Sequence, residues 1–219
     1  MDTTPVLILT LTVWAYWIGV GAMALYVRRA NRAPAGIVPE VRSERRMWII
    51  WVPLIIAWNI LPEVARKGYP LLLALPAGAM AHPLFSRLRW VAATCAVACL
   101  LGTAVCWVHM GRSWRLGVLP SQDTALVVTG VYAHVRHPIY TLGILLALSS
   151  AAVVPTLPMM LVAVLHVCLI LLKVRQEEGF LLAVHGAAYA AYCRRTGQFL
   201  PRRAGRGPWR SATDPAGPA

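Results

Sequence analysis

Ile139-Tyr-Thr-Leu-Gly-Ile-Leu-Leu-Ala-Leu-Ser-Ser-Ala-Ala-Val-Val-Pro155 and, one threonine later, Leu157-Pro-Met-Met-Leu-Val-Ala-Val-Leu-His-Val-Cys-Leu-Ile-Leu-Leu-Lys-Val174 decide the fold. Each apolar run comes close to the roughly 20 residues that a membrane-spanning helix needs. Pro155-Thr-Leu-Pro158 joins them, a connection so short that the two helices must be antiparallel neighbours. Their nearly equal lengths return both outer ends of the hairpin to the same depth. One end is Arg136-His137-Pro138 and the other is Lys173-Val-Arg-Gln-Glu177-Glu178. Two polar motifs distant in sequence are thus brought together by helix geometry alone, at ~1.5 Å of rise per residue.

The rest of the chain has the same character. Of its 219 residues 58% are hydrophobic and 13% charged, and the mean hydropathy is +0.62, which excludes a soluble domain. Three further apolar segments, Pro5 to Val27, Met47 to Ala65 and Trp90 to Met110, bring the spans to five. Tyr69 to His82 is apolar but broken by Pro70, Pro76 and Gly78, so it reads as a re-entrant or interfacial segment. Lys and Arg set the orientation, because they are retained on the cytoplasmic side of short loops. With the N-terminus outside, Arg66, Lys67, Arg87 and Arg89 are external and the other 17 of the 21 basic residues are cytoplasmic. The expected fold is therefore an all-α integral membrane protein of five transmembrane helices, N-terminus out and C-terminus cytoplasmic. The first segment lacks a basic leader and a small-residue cleavage site, so it reads as a retained helix.

The net charge of +13 does not point to nucleic acid, because the basic residues are spread over loops beside apolar spans and carry no nucleic-acid fold motif. Anionic lipid headgroups account for them, at about 1 kcal/mol per residue near the surface. Cys95, Cys99, Cys106 and Cys168 fall inside the predicted spans and Cys193 on the cytoplasmic side. None has metal-ligand spacing, no disulfide is expected, and no metal site is assigned. The Arg-, Gly- and Pro-rich residues 202–219 read as a disordered basic tail.

The polar ends of the hairpin carry the chemistry, since ionisable residues at a membrane edge mark working sites. Pro138 fits the first turn of a helix, and His137 before it is pushed out of helical geometry. The free N–H groups of that helix start, with Arg136 and His137, suit a carboxylate or phosphate. Lys173 and Glu177 are four residues apart on one helical face, a spacing that allows an ion pair or a shared ligand. Snorkelling of Arg136 and Lys173 to headgroups is the bland alternative for each residue alone. The convergence of several donors and acceptors favours a site.

Gly130-Val-Tyr132, Arg136-His-Pro-Ile-Tyr140, Glu177-Glu178, Gly186-Ala-Ala-Tyr189-Ala-Ala-Tyr192 and Leu200-Pro201, with Gly111-Arg-Ser-Trp114 upstream, resemble the isoprenylcysteine carboxyl methyltransferase family in order and spacing. The resemblance covers about the last hundred residues. It implies a membrane-embedded methyltransferase dependent on S-adenosylmethionine, acting on a lipophilic acceptor, most directly the carboxylate of a prenylcysteine-like molecule. A phenolic lipid, a phospholipid amine or a thiol are the alternative acceptors. By family position, Thr124, Ala125, Leu126, Val127 and Tyr132 line the adenosine pocket. His137, Pro138, Ile139 and Tyr140 contact the cofactor, and Glu177 binds it from the fifth helix. Glu178 and Arg136 are the implied catalytic pair, with His134 a second candidate for acid or base assistance, and Lys173 and Arg175 meet the substrate. Residues 1–110 then form N-terminal transmembrane helices with the re-entrant segment, and 111–201 the methyltransferase core, in a bacterial inner membrane with the site facing the cytoplasm.

Two departures stand out. The family places glycine two residues after the motif tyrosine, where this chain has Leu142, with glycine following at 143, about 100° further round the helix. Lys173 replaces an arginine that orients substrate in the family's eukaryotic members, losing the bidentate fork. Two other function classes are conceivable. His134, His137, His185, Glu177 and Glu178 suggest a di-iron oxidase, but the six histidines do not form the multi-histidine boxes of membrane hydroxylases. A scaffold or transporter fits five spans and a broken segment, without detectable repeats or mid-membrane charge.

Overall fold

The computed structural model describes residues 2–32, 35–36, 40–69, 78, 82–117 and 126–202. Among the described residues five α-helices are formed: α1 (Thr4–Asn31), α2 (Arg42–Arg66), α3 (Pro83–Met110), α4 (Pro138–Val153) and α5 (Leu157–Arg195). Proline opens α1, α3, α4 and α5 within their first two positions, where a missing N–H costs nothing. The His82 side chain accepts from Leu84 N at the start of α3, and Thr156 from Met159 N at the start of α5. α1, α2, α3 and α5 are each long and apolar enough to cross a membrane; α4 is a shorter apolar helix of 16 residues, ~24 Å at ~1.5 Å per residue.

The helices form a closed ring, α1 against α2, α2 against α5, α5 against α4, α4 against α3 and α3 back against α1. Small residues allow the close approaches. Ala92, Ala93, Ala96, Cys99 and Thr103 are buried along α3, opposite Leu146, Ala147 and Ser150 of α4, the kind of interface that drives helix association in lipid. Trp58 of α2 is fully buried and donates to Ser150 Oγ at 3.0 Å. Outward faces carry exposed Leu11, Ile18, Ile49, Val91, Val108 and Val164, as lipid contact requires.

The hairpin of α4 and α5 forms as its four-residue connection predicts, but α5 runs far past the expected end at Val174. It continues to Arg195, 39 residues in all, or ~58 Å against a hydrocarbon core of ~30 Å. Between Val174 and Gly186 there is no proline, Arg175, Gln176, Glu177 and Glu178 are good helix formers, and Gly179 is the one weak position. Glu177 and Glu178 therefore sit within α5, just beyond its apolar span. The break comes at Gly186 (φ 49°, ψ −121°), a conformation that glycine adopts without a steric penalty. Of the expected re-entrant segment only Tyr69, Gly78 and His82 are described, and residues 203–219 of the tail lie outside the described residues.

The two ends of the bundle differ. At one end Arg89 donates to Val153 O (3.1 Å) and Asp2 O (3.3 Å), tying α3 to the end of α4 and the start of the chain. At the other meet the end of α1, the start of α2, the end of α3 and the start of α4. There Asn31 donates to Arg112 O at 2.9 Å, Leu116 N to Ala35 O at 3.0 Å, and Lys173 pairs with Glu44. The polar motifs lie at this second end.

Candidate active site

The segment before α4 is held by the chain that follows α5. Arg136 N donates to Gly197 O (2.8 Å), His137 N to Gln198 O (3.1 Å) and Thr141 Oγ1 to Phe199 O (2.9 Å); an isolated parallel bridge joins Val135 and Gly197. A Cβ at Gly197 would stand 1.8 Å from Leu200 O, so only glycine permits this return. Beyond the Gly186 break, Tyr189 and Tyr192 pack on Val128 as a small separate core, and Tyr192 OH donates to Tyr132 O at 2.5 Å. The glycine–tyrosine repeat is thus the clamp that fixes the Arg136-His-Pro segment. Gly130 (φ 59°) leaves room for His109, which bonds Thr129 O at 2.9 Å and stacks on Tyr132.

Glu177 and Glu178, about 100° apart on α5, have separate partners. Glu178 Oε1 accepts from Arg136 Nε at 2.9 Å and contacts His137 Nε2 at 3.0 Å. Burial pushes its carboxyl up, but the hydrogen bonds from His137 and Arg136 outweigh that and hold it at about 2. Burial lowers Arg136 in turn, and the bond and charge of Glu178 more than restore it. Arg136 also donates to Cys193 O at 3.3 Å and to Thr196 O. A carboxylate tied this way is a weak base that holds its neighbours in place. Glu177 Oε2 accepts from Tyr140 OH at 2.9 Å.

Of the two arrangements that the spacing of Lys173 and Glu177 allows, an ion pair or a shared ligand, the ion pair is not formed. Lys173, 4% exposed, is bound to Glu44 of α2, 1% exposed, because that face of α5 turns into the ring towards α2. Glu44 was not among the sequence candidates; its one signal was an acidic residue within Arg42-Ser-Glu-Arg-Arg46 at a membrane edge. A Cβ at Gly117 would lie 3.1 Å from Glu44 Oε2 and 2.9 Å from Gly36 O, so two glycines let the neighbouring loops close over the pair. His137 likewise departs from the expected anion site, since its Nε2 is engaged by Glu178.

Two cavities, of about 120 and 110 Å³, share a wall made of Tyr132, Arg136, His137, Tyr140, Lys173 and Glu177. Each has room for several waters at the ~10–15 Å³ that one requires. The first reaches into the ring between Tyr16, Trp17, Trp48, Trp51, Trp107 and Trp114; Pro138, Ile139 and Gly143 also line it. The second opens between Leu126, Val127, Phe180, Leu181, Tyr189 and Tyr192. Thr124 and Ala125 lie outside the described residues. Arg175 and His134 are exposed and line neither cavity. The glycine displaced to 143 fits this geometry: Gly143 faces the aromatic cavity, while the Leu142 side chain packs on α3 at Gly102. Sequence reading missed Arg115, which lines both cavities directly after the Gly111-Arg-Ser-Trp114 motif. Its Nε and the hydroxyl of Tyr132 are buried without a partner among the described residues. Among the described residues no three His, Cys, Asp or Glu side chains converge as metal ligands.

Arg136, His137 and Glu177 thus stand in a polar wall between an aromatic chamber and a second pocket. Residues 90–183 match the isoprenylcysteine carboxyl methyltransferase (ICMT) family. The resemblance read from the sequence motifs is thereby borne out. The ICMT match takes in most of α3, all of α4 and most of α5, and leaves out α1, α2 and the tyrosine clamp. Among curated proteins the chain is 29% identical over 114 residues to the nickel-cobalt-cadmium resistance protein NccN of Alcaligenes xylosoxydans xylosoxydans, covering 52% of this chain and 53% of that protein. It is 31% identical over 128 residues to the cobalt-zinc-cadmium resistance protein CzcN of Cupriavidus metallidurans, covering 56% and 58%. The chain spans little more than half the length of these relatives.

Proposed function

We propose that this protein is a membrane-embedded methyltransferase that carries a methyl group from S-adenosylmethionine to an oxygen of a lipophilic acceptor. The observation that carries the reading is Glu177, held by Tyr140 at 2.9 Å in a wall common to two cavities of different character. The cofactor fits the second cavity by the chemistry of its lining. Glu177 suits an ammonium or ribose hydroxyls, and the Arg115 guanidinium suits a carboxylate. Bound there, the cofactor supplies an activated methyl on a sulfonium, so the chain needs no covalent nucleophile of its own.

The residues align and desolvate. The aromatic chamber excludes water from the acceptor's body, and the wall residues bring its head up to the second cavity. Arg136, His137 and Glu178 brace each other, which keeps the start of α4 in place. Oxygen is favoured over an amine headgroup because the free polar groups at the wall are mostly donors. A prenylcysteine-like carboxylate is the acceptor class that the family supplies, and a phenolic lipid is the alternative that also offers an oxygen. The site lies at the bundle end where most basic residues gather, which supports a cytoplasmic position in a bacterial inner membrane. The relatives' names speak of metal resistance, and their mechanism is not carried over to this site.

The test is transfer of labelled methyl from S-adenosylmethionine to lipid extract and to a prenylcysteine analogue by purified protein in detergent. Label in a base-labile ester supports carboxyl methylation and label in an ether supports a phenolic acceptor. Absence of transfer with both, in protein that binds the cofactor, would sink the proposed acceptor class.

A further inference from the structure

His166 sits in the middle of the apolar span of α5, 3% exposed, and none of the site motifs includes it. A buried imidazole at membrane depth is costly unless it has a task. Its ring is wedged edge-on between Trp51 and Trp58, with centroids 5.8 and 4.6 Å away. Trp51 Nε1 lies 3.2 Å from His166 Nδ1. An indole nitrogen is a donor only, so Nδ1 is the acceptor and the proton of the neutral ring is on Nε2.

That Nε2–H has no protein partner among the described residues. It lies 3.9 Å from where a Cβ of Gly143 would stand, and Tyr16 OH lies 3.8 Å from the same point. Since Gly143 has no side chain, both groups face the aromatic chamber that they line. The chamber thus presents an N–H donor from His166 and a hydroxyl from Tyr16 beside the open position at Gly143. Its occupant must bring a hydrogen-bond acceptor into the apolar interior. An all-hydrocarbon tail would leave every one of these donors unpaired.

We propose that His166 is a specificity-determining residue that holds a second oxygen on the body of the acceptor, and that the acceptor is an oxygenated ring lipid. This rests on the methyltransferase reading for the role of the molecule, though not for its binding. Gly143 is three residues below Tyr140 on α4, ~4.5 Å along the axis, so the second oxygen sits about one ring's width below the wall where the first is methylated. Six aromatic side chains around the chamber suit a flat ring by offset and edge contacts. Trp51 acts through His166 by fixing its tautomer.

The experiment measures binding of decylhydroquinone and of decylphenol, which lacks the second oxygen, by quenching of tryptophan fluorescence in detergent-purified protein. S-adenosylhomocysteine binding is titrated in parallel. Wild type is expected to prefer decylhydroquinone by about tenfold, the equivalent of one hydrogen bond in apolar surroundings. His166→Phe should erase the preference while leaving S-adenosylhomocysteine affinity unchanged, and His166→Gln, which keeps an N–H, should retain part of it. Trp51→Phe, which frees the tautomer without touching the ligand's donor, should reduce it. Equal binding of the two lipids by wild type, or an undiminished preference in His166→Phe, overturns the proposal. A His166-dependent preference in protein that does not bind S-adenosylhomocysteine would uphold the pocket and reject the methyltransferase reading.

Discussion

Lys173→Met should unfold the protein far more readily than its position at the edge of a membrane span suggests. Lys173 and Glu44 are 4% and 1% exposed and bound to each other across α2 and α5. Removing the lysine breaks a buried ion pair by taking away one of its members, which costs about 3–5 kcal/mol. In a chain of this size each kcal/mol moves the melting temperature by roughly 2–4 °C, so a fall of about 6–20 °C is expected in detergent. Removing both charges is different, because an ion pair replaced by uncharged groups of similar volume is often no less stable. Glu44→Gln with Lys173→Met should therefore recover most of the loss. Thermal unfolding of wild type, both single variants and the double variant measures the coupling directly. A Lys173→Met protein that melts within about 2 °C of wild type, or a double variant no more stable than the single, would refute the reasoning.

Three further outcomes follow from contacts at the site. Gly130→Ala places a non-glycine residue at φ 59° with its Cβ 2.4 Å from the His109 ring; backbone strain of ~1–2 kcal/mol and displacement of His109 from Tyr132 should weaken S-adenosylhomocysteine binding, and His109→Ala in the same chain should restore part of it. Gly19→Ala brings a Cβ within 2.5 Å of Trp107 Cζ3, overpacking by ~1–3 kcal/mol and pushing the indole into the aromatic chamber, which thermal unfolding and ring-lipid binding would register together. The Glu178 carboxyl is held at about 2 against an ordinary 4.5, so its contribution to stability is complete above pH 4.5 and is lost as pH falls through about 2; Glu178→Gln should flatten the stability profile across that window.

The hairpin was legible because Pro155-Thr-Leu-Pro158 leaves α4 and α5 no other arrangement, and the meeting of Arg136-His137 with Glu178 follows from it. What the sequence concealed were choices made by tertiary packing. Lys173 had a carboxylate one turn away at Glu177 and took one from another helix, 129 residues distant in sequence, because its face of α5 turns towards α2. The length of α5 was underestimated because apolarity ends at Val174 whereas helix propensity does not. Tryptophans gave no clue to the aromatic chamber: Trp14 is 51% exposed and Trp58 fully buried, yet both lie in apolar runs of the same kind. Arg115 escaped notice because a single arginine after a motif looks like any headgroup contact.

The most direct test of the central claim is calorimetric titration of purified protein in detergent with S-adenosylhomocysteine, comparing wild type, Glu177→Ala and Arg175→Ala. Micromolar binding, about −8 kcal/mol, that is lost in Glu177→Ala and kept in Arg175→Ala is the expected result. Absence of binding by the wild type, or full binding by Glu177→Ala, would contradict the cofactor site described for the wall between the two cavities.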